Sequence, residues 1–425
     1  MSVNLIIRGG ICVTHRGKIL EDIAIRDGII VAIGDLSSVD AENSIDASGL
    51  HILPGIIDSE FHMRSEIKND TAAAVIGGIT SILCVSNLPI EGEGFYCDYA
   101  YFKNASLENI KYLSELEVEK GCAGINLTMA KTNGFSSIED DRTLLEALKS
   151  GRRRVIIHAE DQSRLDMRKF HIKLNDVKSH TDWRDQKSSI NATRRILAVA
   201  RVAGRRVHLQ HISTDREMAI IAANKDIATA AVSPNYLFLS GPDCYDHFYN
   251  YAKLDPPIRD EENRIGLWKA LTNGIVDVLA SAHNPIQLNE KEKKYPNCPS
   301  GAPSAQTMVP LMLNQVNKGV ISIETLVDLT STSPARIFNI ANKGRIAVGY
   351  DADFAVVDLN KKWELDDDNV ESSCGWDLHA GSSFTGQVVG TIIRGKKVVW
   401  ASKFLGLPFG EVIKFQDTYK RYVSK

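Results

Sequence analysis

The sequence predicts an α/β fold, a (β/α)8 TIM-type barrel carrying a small β domain made from both chain ends. Three observations lead to it. Through the middle of the chain short apolar runs alternate with helical stretches, the pattern of βα units that build a parallel sheet. There are eight such runs, the number that closes a barrel. Hairpin-like β patterns occupy the two ends instead.

From Val3 to Ile52 strands are expected at residues 5–8, 11–14, 23–25 and 29–33, with Asp27-Gly28 as a hairpin turn between the last two. A β pattern returns at 354–359 and 391–400, which assigns residues 1–53 and 345–425 to one composite domain and 54–344 to the barrel. The expected barrel strand cores are 56–57, 82–85, 99–102, 123–125, 155–157, 207–210, 228–232 and 276–279. Helices fit at 144–149, which is amphipathic, and at 191–202, which is rich in Ala, Arg and Leu. The aperiodic, proline-rich stretch 295–303 reads as a loop over the barrel mouth. Two charge clusters, Arg152-Arg153-Arg154 and Glu290-Lys291-Glu292-Lys293-Lys294, read as solvated segments, and Trp376 as core.

At 425 residues, with 44% hydrophobic and 24% charged side chains, the chain is long enough to bury a large core. A formal net charge of -3 offers no basic surplus for nucleic acid or an anionic membrane surface. No apolar run approaches the ~18 residues of a membrane span. The 7 cysteines are widely spaced, odd in number and without a Cys-x-x-Cys pair, so they read as reduced thiols of a cytoplasmic protein. A signal peptide pattern is absent from the start of the sequence.

Chemistry concentrates at strand ends. The run Pro54-Gly55-Ile56-Ile57-Asp58-Ser59-Glu60-Phe61-His62-Met63-Arg64 breaks from an apolar strand into ionisable residues. Glu60 and His62 end that strand, His158 ends another, and His211 follows a third. A lone histidine is more often a satisfied core residue, but three imidazoles at three strand ends make a plausible metal set, with Glu60 as a fourth ligand.

These residues, in this order, resemble dihydroorotase, the pyrimidine-pathway member of the amidohydrolase superfamily. The resemblance covers nearly the whole chain: Asp58-Ser59-Glu60-Phe61-His62-Met63-Arg64 for the family's Asp-x-Gln-x-His-x-Arg, then Gly77-Gly78-Ile79-Thr80, Asn87, the His158 strand and His211-Ile212-Ser213-Thr214. Pro234-Asn235-Tyr236-Leu237, Asp255-Pro256-Pro257-Ile258-Arg259, Ser333-Pro334-Ala335-Arg336-Ile337-Phe338 and the return at Gly344-Arg345-Ile346-Ala347-Val348-Gly349 continue it.

The resemblance implies a barrel in which zinc-bound hydroxide attacks a cyclic amide carbonyl, a carboxylated lysine bridges two zinc ions, and an aspartate at the last strand shuttles the proton. Here Asn126 stands at the lysine position and Ala282 at the aspartate position. Neither can do that chemistry. The metal ligands would be His62, His158, His211 and Glu60, holding no ion or one weakly, since the first-strand pair and the later histidines serve different ions in the family. On the substrate side the resemblance matches Arg64 to a carboxylate-holding arginine, Asn87 to a substrate-binding asparagine and Ser300-Gly301 to the mouth loop. Asp255 replaces an asparagine and would place negative charge beside an anionic substrate. Arg64 reads equally as half of a salt bridge with Asp58 or Glu66.

The expectation is a catalytically impaired or inactive dihydroorotase homologue, a homo-oligomer acting as a structural or regulatory partner of aspartate transcarbamoylase or of an active dihydroorotase. The alternatives are an active one-metal hydrolase of dihydroorotate or a hydantoin-like ring, with Glu60 or His283 as base, and a sensor that retains Arg64 and Asn87 to bind a metabolite.

Overall fold

The computed structural model describes residues 3–64, 66–86, 93–132 and 134–418. Eight of the strands run parallel in one sheet: β1 (Ile56–His62), β2 (Ile79–Val85), β3 (Asp98–Asn104), β4 (Cys122–Thr128), β5 (Val155–His158), β6 (Val207–Leu209), β7 (Ala228–Val232) and β8 (Val278–Leu279). Each expected core overlaps one of them. Strands adjacent in the chain are adjacent in the sheet. The ring is completed where Phe61 bridges His283 and the His62 amide donates to the His283 carbonyl at 2.7 Å. This is the predicted TIM-type barrel.

Its packing follows from a period of two along doubly buried strands. Ile57, Leu83, Ala123, Ile156, Ala231 and Val278 fill the barrel interior, which Phe338, Ile340 and Phe415 plug from below. Their neighbours Ile56, Ile82, Ile125, Ile157 and Val232 turn outward under the helices. Both predicted helices are present, as Asp141–Lys149 and Gln186–Ala203. They start earlier than their apolar faces because Asp140 and Asp185 cap them, accepting from the amides of Thr143 and Ser188.

The other sheet is mixed and nine-stranded. From the N-terminal side it takes Val3–Thr14, Gly17–Arg26, Ile29–Gly34, Ala41–Asp46 and His51–Pro54; from the C-terminal side Phe354–Glu364, Ser383–Ile393, Lys396–Trp400 and Lys403–Phe404. Asp27 and Gly28 turn the expected hairpin with φ of 51° and 79°, the left-handed pair that matches strand twist. The two ends join where Ile52 and Pro54 pair antiparallel with Val356 and Phe354. At the junction with the barrel, Lys343 Nζ sits among Asp98, Asp351 and Asp353 at 2.8, 2.9 and 2.6 Å.

Beyond Phe404 the chain leaves this sheet and lies on β3, where Tyr99 exchanges hydrogen bonds with Glu411 and Ile413 at 3.0 and 2.8 Å. That return corrects the expectation for the arginine cluster. Only Arg152 is solvated; Arg153 is buried with its guanidinium on Asp417 at 2.6 Å, and Arg154 reaches Thr229 Oγ1 at 3.2 Å. The second charge cluster is also not wholly exposed. Lys291 is fully buried under the mouth loop, donating to the carbonyls of Lys253 and Pro299 at 3.0 and 3.1 Å, and burial pushes its ammonium down to about 7. Trp376 is core, its indole N–H on the Ile286 carbonyl at 2.8 Å. All seven cysteines are free and buried, and among the described residues no helix is long and apolar enough to cross a membrane.

Candidate functional site

The C-terminal ends of the barrel strands and their loops enclose one cavity of about 50 Å³. Glu60 and His62 reach it from β1, Asn126 from β4, His158 from β5, Gln210 and His211 after β6, Asn235 after β7 and Ala282 after β8; Asp255, Ser300 and Gly301 come from loops above. Nearly every residue singled out in the sequence therefore meets here. Asn87 lies outside the described residues.

Arg64 is the exception, standing beside the lining with Nε on Asn284 Oδ1 at 3.0 Å. Among the described residues it makes neither expected ion pair. Asp58 is engaged by the hydroxyl and, at 3.0 Å, the amide of Ser281; burial nonetheless pushes its carboxyl up to about 6.

A buried relay underlies the mouth. Arg184 Nη2 is 2.6 Å from Glu160 Oε2, and the same oxygen is 3.1 Å from His158 Nε2. Burial works against the Glu160 charge, but Arg184 and the His158 hydrogen bond outweigh it and bring the carboxyl down to about 2. An ionised carboxylate can only accept, so His158 donates from Nε2, and its Nδ1 faces His211 Nε2, 3.1 Å away. Burial holds His211 down to about 4 and His62 to about 3, so both imidazoles are neutral at physiological pH. Glu60, buried between them, has Oε1 at 3.7 Å from His62 Nε2 and 3.6 Å from His211 Nε2. Among the described residues neither Glu60 oxygen has a hydrogen-bond partner, and burial pushes the carboxyl up.

Glu160 and Arg184 are site residues that reading the sequence missed. The signal available was Glu160 two residues past His158 on a strand end; Arg184, in a helical stretch, gave none.

Asp255 lines the cavity as an ionised carboxylate, and its charge is well partnered. It accepts from His180 Nε2 at 2.9 Å, Ser300 Oγ at 2.9 Å and Thr132 Oγ1 at 2.8 Å, and Arg184 Nε is 3.4 Å away. Burial opposes its charge, but Arg184, His180 and Lys253 hold the carboxyl well below the usual range. It braces the mouth loops. His283 is likewise unavailable as a base: fully buried, it stacks on Phe61 and its Nδ1 accepts from the Ser304 and Ala305 amides at 3.1 and 3.3 Å.

Do these side chains fit the implied two-zinc centre? Tetrahedral zinc with nitrogen and oxygen ligands sets ligand atoms about 3.3 Å apart. The separations of 3.1, 3.6 and 3.7 Å suit such pairs. Sets are another matter. Among the described residues the one group of three or more acidic, imidazole or thiol side chains with ligand atoms all within 4.8 Å of one another is Asp98, Asp351 and Asp353, which Lys343 already fills. At β4 the Asn126 carboxamide, donating to Asn104 Oδ1 at 2.9 Å, offers no anionic bridge. Ala282 presents a methyl group from a backbone at φ 52°. The residues present do not fit a two-ion centre.

Comparison with known proteins places this architecture. The model of the amidohydrolase family matches residues 51–398. The chain is similar to a dihydroorotase of Pyrococcus furiosus, 32% identical with 96% of this chain and 98% of the relative covered. It is similar to an allantoinase of Deinococcus radiodurans, 28% identical over 97% and 99%. Among solved structures, an L-hydantoinase (dihydropyrimidinase) from Arthrobacter aurescens superposes with a TM-score of 0.91 at 26% identity, covering 97% of this chain and 99% of that one. Barrel, second sheet and full-length similarity agree, and the chain belongs to the amidohydrolase family.

Proposed function

We propose that this chain is a dihydroorotase homologue that no longer opens or closes a ring, and that it serves de novo pyrimidine biosynthesis as a structural or regulatory partner, holding a small cyclic amide at its mouth without turnover. One observation carries the reading: Asn126 and Ala282 both line the cavity, at the strand ends where hydrolysis needs a bridging anion and a proton shuttle. General acid–base catalysis contributes roughly 10²–10⁴-fold, and a metal is needed to bring water's pKa from about 15.7 to about 7. Removing both leaves a binding pocket. Aspartate transcarbamoylase or an active dihydroorotase is the partner to test.

The experiment is a ring-opening assay on dihydroorotate and hydantoin with zinc supplied, paired with co-purification from the native host. Absence of turnover together with a pyrimidine-pathway protein in the pull-down supports the proposal. Turnover at an ordinary enzyme's rate overturns it. The unpartnered Glu60 carboxylate favours a second reading, a slow hydrolase with Glu60 as base. In that case Glu60→Gln abolishes a measurable rate.

A further inference from the structure

The arginine run at the foot of β5 takes no part in the chemistry of the mouth. It lies at the opposite end of the barrel, where the strands begin. Arg154 and Arg206 each stand one residue before a strand, and the pairing of Val155 with Val207 makes them neighbours; the Val155 amide donates to the Arg206 carbonyl at 3.4 Å. A period of two puts both on the face of Ile156 and His208, which point into the barrel, so both stand at its lower rim. The Arg154 guanidinium is fixed there by the Thr229 hydroxyl at 3.2 Å and by the carbonyls of Val207 and Ile337 at 3.1 and 3.4 Å. Ile337 follows Arg336 on the short helix Ser333–Ile337, which packs under the barrel interior.

Three guanidinium groups therefore meet at the rim, and among the described residues none of them has an ion pair. The acids of this end are already taken: Asp277 lies on Lys225 at 2.5 Å and on the Ala230 amide at 2.9 Å, Asp417 on Arg153 at 2.6 Å, and Glu117 on Arg205 at 2.5 Å. Arg206 and Arg336 are exposed. Burial, and then the like charges of Arg206 and Arg336, bring Arg154 down to about 10 against the pull of Asp277. This end of a barrel ordinarily serves stability, which crowded like charge lowers, so the arrangement points to an anion that neutralises it.

The kind of anion follows from the donors. A guanidinium is a planar fork that matches phosphate oxygens two at a time, and three forks ask for more charge than a single phosphate carries. A nucleic acid asks for a longer basic track, whereas here Asp277 and Asp417 stand among the arginines and the whole chain has a net charge of -3. We infer that the lower rim of the barrel binds a short phosphate chain, the di- or triphosphate of a nucleotide or its inorganic counterpart, through Arg154, Arg206 and Arg336. Arg154 is the fixed floor of the site, and the two exposed arginines close on the ligand from either side.

The test titrates the full chain by calorimetry with inorganic tripolyphosphate, ATP, orthophosphate and a polyglutamate peptide. Tripolyphosphate should bind one per chain and raise Tm, and orthophosphate should bind at least tenfold more weakly for want of the second and third fork. Equal affinity for ATP supports a site that reads the phosphate chain alone; tighter binding of ATP supports it with a nucleotide as the natural source. Arg206→Ala and Arg336→Ala remove exposed side chains, so both variants should fold, and each should weaken tripolyphosphate about tenfold. Arg16→Ala, on the composite sheet and paired with Glu21, should change nothing. Affinity should fall as ionic strength rises from about 0.01 M to about 0.15 M. No saturable binding, affinity unmoved by either rim substitution, or orthophosphate held as tightly overturns the inference. Polyglutamate held as tightly also overturns it, and makes the rim a dock for an acidic protein. None of these readings involves ring opening at the mouth, so the proposal of lost turnover stands or falls separately.

Discussion

His158 Nδ1 stands 3.1 Å from His211 Nε2, and what aims it there is Glu160, which holds the opposite ring nitrogen at the same distance. The imidazole pair is thus set from behind, by a carboxylate paired in turn with Arg184. Glu160→Gln should leave Asp255, 3.4 Å away, as the one remaining counter-ion of Arg184 among the described residues and free His158 to change tautomer. Removing one partner of a buried pair costs about 3–5 kcal/mol. Urea unfolding should show that loss, and the imidazole nitrogen shifts should show that the hydrogen of His158 is no longer fixed on Nε2. A loss below about 1 kcal/mol with an unchanged tautomer would mean that the relay does not exist.

Metal content follows from the mouth's donors coming in pairs. The purified protein should carry well under one zinc per chain after dialysis, and cobalt should give no intense tetrahedral spectrum. Ala282→Asp with Asn126→Lys returns a carboxylate and, once bicarbonate supplied in the buffer has carboxylated the lysine, a carbamate able to bridge. The αL backbone at Ala282 tolerates aspartate better than alanine, so this double variant should fold normally and take up more zinc. Two firmly held ions in the unaltered chain would refute the expectation.

A pH experiment separates buried neutral histidines from charged ones. Burial brings His208, bonded to Thr229 inside the barrel, down from 6.5 to about 3. The unfolded chain takes up that proton below 6.5 and the folded chain does not, so the stability His208 confers is complete above 6.5 and drains away as pH falls. Other buried groups titrate in this window, so the comparison must be differential. The stability cost of His208→Leu should shrink by about 1.4 kcal/mol for each pH unit from 6.5 to 4.5. A cost independent of pH would contradict a neutral His208.

Gly301 shapes the mouth by what it lacks. With φ at +135° and a would-be Cβ 2.7 Å from the Asn284 side chain and 2.9 Å from its carbonyl, no other residue fits. Gly301→Ala should cost about 1–3 kcal/mol and push the loop off Asp255 through Ser300. Limited proteolysis near residues 295–301 should accelerate. Unaltered stability and cleavage would count against the loop's role.

The barrel was legible because strands buried on both faces leave a run of apolar residues that no exposed element shares, as in Ile82-Leu83-Cys84-Val85. The mouth was legible in outline, since His62, His158 and His211 each follow such a run. What escaped were charged residues whose burial depends on distant partners. Nothing local marks Arg153 as buried when its counter-ion is Asp417, or Lys291 when its acceptors are backbone carbonyls. The partners of Asp255 escaped for the same reason, because His180, Arg184, Thr132 and Ser300 are all far from it in the chain.

The pairing of His51–Pro54 with Phe354–Glu364 has a temporal side. On the ribosome the leading strands emerge with one sheet neighbour still unsynthesised, and the whole barrel must be made before it arrives. Closing so long a loop is entropically slow. The exposed edge of His51–Pro54 is then the natural point for a chaperone to hold, and a chain truncated before Phe354 should be insoluble however well its barrel is encoded.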